Sequence, residues 1–265
     1  MTYIPISPKE RDAMLETVGV KSLDDLFEAV PTKHRFPKLN LPPALTEMEA
    51  MEELSGLAQA NENVRGDLIS FLGAGMYNHY IPSVVDHILR RGEFYTAYTP
   101  YQPEISQGTL QAIFEYQSLM AALTGMDVSN ASHYDGATAT AEAVGLAYAQ
   151  FRGKRKKVVV SPTVHPQYRA VIRTYVQGME LELAGDDPNT DLDSQPDELA
   201  NLVDDNTSLL VVQYPDFFGR VYDYTKLIEA AHAKGALVCV VANPTALALF
   251  KTPGSMGADI VVGDG

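Results

Sequence analysis

A chain of 265 residues, 46% apolar and 20% charged, can bury a full-sized core without a covalent staple, and its balance excludes a disordered polymer. The formal net charge of -14 excludes a nucleic-acid surface, which needs clustered Lys and Arg, and reads first as a solvated acidic exterior. The single cysteine, Cys239, excludes an intrachain disulfide, and its apolar neighbours mark a small buried hydrophobe rather than a nucleophile.

The N-terminal residues show no apolar signal segment. The longest apolar stretch, 235–250, is broken by Asn243-Pro244 and is too short to span a bilayer. The expectation is a soluble, cytoplasmic protein.

Residues 1–65 read as short helices joined by proline-rich connections. Ser7-Pro8-Lys9-Glu10 supplies an N-cap serine, a proline at the first helical position and a reciprocal glutamate, which make a capping box. Thr46-Glu47-Met48-Glu49 repeats that logic ahead of Met51, Leu54, Leu57 and Ala58, which share one helical face. Pro31, Pro37, Pro42 and Pro43 break the intervening chain into an extended arm. Such an arm is expected to wrap a neighbouring subunit or the main domain.

Residues 66–108 differ. The stretch 71–82 has neither helical nor strand periodicity; a short helix over 83–91 follows, and then Phe94-Tyr95-Thr96-Ala97-Tyr98-Thr99-Pro100-Tyr101-Gln102-Pro103-Glu104. Loops are usually polar because their backbone needs partners. Two aromatic loops this close together predict packing against something specific.

A regular alternation begins near residue 105. Helices are expected over 105–123, ending at Gly125, and over 138–151, ending at Gly153. The basic run Lys154-Arg155-Lys156-Lys157 leads into a strand at 158–160 and reads as its solvated mouth. A helix at 167–176, a strand at 181–184, a helix at 197–203 and a strand at 209–212 come next. The series closes with a helix at 224–233, a strand at 237–241 and a strand at 260–262. Short, continuously apolar strands separated by helices predict an α/β fold whose mostly parallel sheet, of a seven-stranded type, is sandwiched by helices through right-handed crossovers. Gly263-Asp264-Gly265 follows directly on a core strand, so a longer polypeptide is expected.

Among candidate motifs, Gly73-Ala74-Gly75 lacks a preceding strand, a third spaced glycine and a Lys-Ser/Thr pair, so it reads as a turn. The segment 132–142, Ser-His-Tyr-Asp-Gly-Ala-Thr-Ala-Thr-Ala-Glu, puts small and hydroxyl residues at a helix start, where free N–H groups favour an anion. An ordinary N-cap by Asp135 accounts for it equally well. His165 follows the strand at 158–160, on the carboxyl edge where ligands of open α/β sheets sit. No metal-ligand spacing and no Gly-x-Ser-x-Gly elbow is present.

Five stretches, 71–82, 95–111, 131–143, 213–219 and 257–265, together resemble the P-protein family of the glycine cleavage system. The similarity is to the first subunit of the split glycine dehydrogenase (decarboxylating) and to the N-terminal half of the fused P-protein. Its most specific part is Tyr98-Thr99-Pro100-Tyr101-Gln102-Pro103-Glu104-Ile105-Ser106-Gln107-Gly108.

The resemblance implies an aspartate-aminotransferase-like fold (pyridoxal-phosphate fold type I). It would comprise an N-terminal helical arm, 1–65, and a large domain, 66–265, cut before the Schiff-base lysine position and before a small C-terminal domain. Its activity would be that of a glycine decarboxylase that works on pyridoxal phosphate and passes an aminomethyl group to lipoylated H-protein. A working site of that fold needs a carboxylate on a late strand for the pyridinium nitrogen and a lysine after the next strand. Val241 stands where the acid would align, and 263–265 hold no lysine.

This chain is therefore expected to complete an active site at the interface with a lysine-bearing second subunit, within a heterotetramer. Tyr95, Tyr98, Tyr101, Gln102 and Glu104 would line the site, with Ser106 and Gln107 near the phosphate. Asp135, Thr138 and His165 would be remnants of a cofactor site. Two rival readings stand beside this one. The first is a scaffold that contributes no active-site group; the second is an autonomous pyridoxal-phosphate decarboxylase with its lysine beyond residue 265.

Overall fold

In the computed structural model the chain divides into two compact units, Met1–Phe71 and Leu72–Gly265. The structure describes residues 6–64, 66–73, 79–95, 98–186 and 196–265. Ala74 and Gly75 of the Gly-Ala-Gly motif lie outside them, as do Thr96 and Ala97 of the aromatic segment.

The first unit contains α1 (Pro8–Val18) and α2 (Glu47–Gln59), each opened by the capping box its sequence announces. Ser7 and Glu10 satisfy each other's backbone N–H groups, and Thr46 and Glu49 do the same. Among the described residues of this unit none is buried. The apolar stripe of α2 stands open, with Met48 78%, Met51 61%, Leu54 63% and Leu57 59% exposed.

The second unit opens with α3 (Ser83–Leu89), α4 (Gly92–Tyr95) and the 22-residue α5 (Pro103–Thr124), which ends where Gly125 takes the left-handed conformation. Next come α6 (Gly136–Gln150), β1 (Lys157–Val160), α7 (Pro166–Val176), β2 (Glu182–Ala184) and α8 (Pro196–Ala200). Then follow β3 (Thr207–Tyr214), α9 (Thr225–Ala233), β4 (Leu237–Ala242), α10 (Pro244–Leu247), α11 (Pro253–Met256) and β5 (Ile260–Val262). All five strands are among those read from the sequence. They form one sheet in the order β2-β1-β3-β4-β5, and every neighbouring pair is parallel.

Side chains alternate across the sheet with the strand's period of two. Val159, Leu210, Val212, Val238 and Val240 face one way and pack with Leu199, Leu227, Ile228 and Ala231 of α8 and α9. Val158, Val160, Leu209, Val211, Cys239 and Val241 face the other way, against Ala143, Val144 and Ala147 of α6 and Ile172 of α7. The alanine-rich inner surface of α6 brings that helix close to the strands. Burial pushes the Cys239 thiol up to about 12, as an inert packing role requires.

The basic run before β1 is held in structural contacts. Lys156 pairs with Glu180 at 2.6 Å, Lys157 with Asp204 at 2.9 Å, and Arg155 donates to the carbonyls of Thr207 and Lys234. Among the described residues no helix is long and apolar enough to cross a membrane.

The core carries a direct expectation. Leu210 is fully buried on β3 whereas Leu249 is 83% exposed. Leu210→Ala should destabilise by about 2–5 kcal/mol and Leu249→Ala by less than about 0.5 kcal/mol, read as shifts in the urea midpoint at constant slope.

Candidate functional site

With both faces of the central strands β1, β3 and β4 buried, their carboxyl edge is the place left for polar chemistry. The chain turns from β1 through α7 toward β2 on one side, and from β3 through α9 toward β4 on the other. The two helices cover opposite faces, so a switch in winding falls between the carboxyl ends of β1 and β3. Open α/β sheets bind ligands at such points.

Residues from both strands meet there. The His165 backbone N–H donates to Gln213 Oε1 at 2.7 Å. His165 also caps α7, its Nδ1 accepting from the Gln167 N–H at 3.1 Å. Its ring stands 5.2 Å from that of Tyr168 and edge-on to Phe217 at 5.0 Å. Beside it, Ser161 and Thr163 are buried and share a hydroxyl hydrogen bond of 2.9 Å.

The start of α6 forms the other wall. Asp135 is its N-cap, accepting from the Thr138 N–H at 2.7 Å, while Thr138 Oγ1 accepts from the Asp135 N–H at 3.2 Å. That backbone hydrogen bond from Thr138 holds the Asp135 carboxyl below its ordinary value of 3.8. One residue on, the Gly136 N–H donates to Asp264 Oδ1 at 2.8 Å, and the Tyr168 hydroxyl donates to Asp264 Oδ2 at 2.5 Å. Burial, and then the bond to Asp264, push the Tyr168 hydroxyl well above the usual phenol range. A cleft of about 840 Å³ adjoins this corner between α5, α6 and β5, and Asp135, Glu142, Asp259 and Asp264 are among its lining residues.

The structure thus brings Asp135, Thr138 and His165 to one edge and adds Gly136, Tyr168, Gln213 and Asp264, which sequence reasoning did not select. Tyr168 lies one turn after His165, and Asp264 directly follows the last strand. Both signals were present, but their meeting spans 96 residues of chain.

The expected pocket-lining set stands elsewhere, ahead of and on the first turn of α5. Tyr98 and Tyr101 are 81% and 76% exposed, with ring centroids 6.2 Å apart. Gln102 occupies the N-cap position of α5, and Glu104 lies in its first turn. Ser106 is half-buried and Gln107 exposed. Tyr95 closes α4, and its side chain lies outside the described residues. From Ser106 to Tyr116, the α5 residue that meets Gly265, the helix rises about 15 Å.

The family model of the glycine cleavage system P-protein matches residues 1–265. A probable glycine dehydrogenase (decarboxylating) subunit 1 of Thermomicrobium roseum is 52% identical over 265 residues, covering 100% of this chain and 59% of that protein. The corresponding protein of Geobacillus kaustophilus is 52% identical, covering 99% of this chain and 58% of its own length. A crystal structure of glycine decarboxylase (P-protein) of the glycine cleavage system, in inhibitor-bound form, superposes with a TM-score of 0.84 at 44% identity, over 100% of this chain and 58% of that one. The rice TDC structure with PLP and tryptamine, 11% identical, shares the fold alone, with a TM-score of 0.52 over 93% of this chain and 60% of that one. The chain spans under three fifths of the length of these P-protein relatives. It belongs to the glycine cleavage system P-protein family.

The Asp135 cap makes a pH-dependent contribution whose sign follows from its lowered pKa. It is fully present above the ordinary carboxylate value of 3.8 and is lost as pH falls through the lower folded-state value. Asp135→Ala should therefore melt below the native protein at neutral pH, with the gap closing in stronger acid. Thermal melts at stepped pH check this.

Proposed function

We propose that this P-protein family member is the first-subunit, N-terminal-half part of a two-subunit glycine decarboxylase. On this reading a partner subunit, the lysine-bearing second subunit, holds pyridoxal phosphate covalently, and this chain closes the pocket across the interface. The reaction is decarboxylation of glycine, with the aminomethyl group passed to the lipoyl arm of the H-protein. The bound cofactor supplies the electron sink for the carbanion. A cytoplasmic location belongs to the same proposal.

The observation that carries this reading is the misfit of this chain's own carboxyl edge to the cofactor. Val241, aligned with the expected ring-pairing acid, is 4% exposed among Val158, Val160 and Cys239. The described lysines of the unit stand elsewhere. Lys154, Lys156 and Lys157 lead into β1, Lys226 sits on α9, Lys234 precedes β4, and Lys251 donates to Asp223 and Thr225. The start of α6, where a phosphate would dock, already holds a carboxylate.

The chain instead offers apolar and aromatic surface outward. The 22-residue α5 has no buried residue, and Ile105, Phe114 and Leu119 on it are 80%, 67% and 65% exposed. Apolar surface of this extent supports a subunit interface. On this reading Tyr95, Tyr98, Tyr101, Gln102 and Glu104 would line the shared pocket, with Ser106 and Gln107 near the phosphate; the exposure of Tyr98 and Tyr101 supports it.

Two outcomes test the proposal. Borohydride reduction of the assembled enzyme should trap pyridoxal phosphate on the partner and on no lysine of this chain; a stoichiometric adduct here defeats the reading. Tyr98→Phe and Tyr101→Phe remove only exposed hydroxyls, so folding should be nearly unchanged. Loss of a hydrogen bond to a charged group, about 1.5–3 kcal/mol, should slow glycine–bicarbonate exchange by roughly ten- to a hundredfold. Unchanged exchange in both variants, or exchange lost only in step with melting temperature, favours a scaffold.

A further inference from the structure

Helix α6 is 15 residues long, and its first N–H groups, with the positive end of its dipole, attract an anion. Nothing in Val241 would by itself keep a free phosphate compound from docking there. The structure shows what does. The Asp264 carboxylate, delivered by the end of β5, accepts from the Gly136 N–H at 2.8 Å and from the Tyr168 hydroxyl at 2.5 Å. These are a backbone amide and a neighbouring hydroxyl, the donors a phosphate oxygen would use.

The fit around this carboxylate is steric as well as electrostatic. A Cβ on Gly136 would clash with the Tyr168 hydroxyl and lie 2.9 Å from Asp264 Oδ2, so only glycine allows the approach. A Cβ on Gly263 would overlap the carbonyl oxygen of Ala242, so the residue before Asp264 must also be glycine for β5 to end where it does. Asp135 adds a second carboxylate through its hydrogen bond to the Thr138 N–H. An anion arriving at the start of α6 therefore meets two carboxylates, Asp264 and Asp135.

We propose that Asp264 is a built-in anion that fills the phosphate position at the start of α6 and closes this half of the enzyme to free phosphate-bearing ligands. This rests on the reading that the partner subunit holds the cofactor, and it adds the device that would keep the cofactor from binding at the wrong half. On that reading, a second phosphate-binding position in this half would draw cofactor away from the subunit that uses it.

The test uses the full-length subunit, alone and assembled with its partner, with inorganic phosphate as probe and sodium chloride as the ionic-strength control. Melting temperature and the ³¹P line width are followed against phosphate concentration. The native chain should show no saturable response. Asp264→Ala should gain one, binding phosphate at least tenfold more tightly than the native chain, because it vacates the position and removes the charge. Asp264→Asn, neutral and of the same shape, keeps the fold if alanine does not, and should gain a weaker response.

A saturable response in the native chain equal to that of the variants overturns the proposal. So does a folded Asp264→Asn that stays blind to phosphate and only melts lower, since that is what a purely structural link would do. Borohydride trapping on the assembled variants separates the two levels of argument. An adduct on a lysine of the native chain sinks the partner-held reading, whereas blindness to phosphate with the adduct still on the partner sinks only the role of Asp264.

Discussion

Val158 and Val159 are consecutive residues of β1 that point to opposite faces of the sheet, and both are fully buried. The same holds for Leu209 and Leu210 on β3 and for Cys239 and Val240 on β4. A parallel sheet covered by helices on both sides has no wet face, so each strand must be apolar at every central position. That constraint removes the strands from chemistry and leaves their carboxyl ends, where the backbone leaves the sheet, as the location for polar side chains. His165, Gln213, Asn243 and Asp264 all stand at such ends. Asn243 caps α10, accepting from the Thr245 N–H at 3.0 Å, so this edge is organised by short-range capping as much as by long-range contacts.

The same constraint explains which parts were legible in the sequence. The central strands announced themselves as short apolar runs rich in valine, and the helices opened at Ser7, Thr46 and Asp135 with the side chains that cap them. These are local signals: a cap satisfies donors within one turn, and a buried strand must be apolar wherever it lies. Asp264 was not legible, because its meaning lies in Gly136 and Tyr168, 128 and 96 residues away. The segment 132–142 read equally well as an anion site and as an ordinary cap. The structure makes Asp135 the cap, and the adjacent Gly136 N–H donates to the Asp264 carboxylate.

Under the proposed reading, Val241 fills the place of the ring-pairing acid as an ordinary core residue. It pairs in register with Gln213 on β3 and Val262 on β5, and it packs on the α6 face. A carboxylate at such a depth is tolerated only with a partner charge, which a protonated ring nitrogen can supply. If no such ring binds there, as the proposed reading has it, an acid would be a liability and valine extends the core. The edge of this sheet is therefore consistent within itself: an apolar residue below, a resident carboxylate at the start of α6, and a histidine turned to capping α7.

A different logic governs α5 and the first unit. Isolated helices draw little stability from propensity alone and depend on burying an apolar face. Yet α5 has no buried residue, and the α2 stripe of Met48, Met51, Leu54 and Leu57 is open throughout. Under the proposed reading both faces are covered on assembly, and the same cover decides the position of Tyr98 and Tyr101, whose rings contact each other but stand mostly in solvent. A pocket wall built from such side chains acquires its geometry only with its partner, because each ring must lose rotational freedom before it can direct a hydroxyl. Catalytic competence would then be conditional on subunit association: the sheet would supply a rigid base, the open helices the adhesive surface, and the partner the contact that fixes Tyr98 and Tyr101.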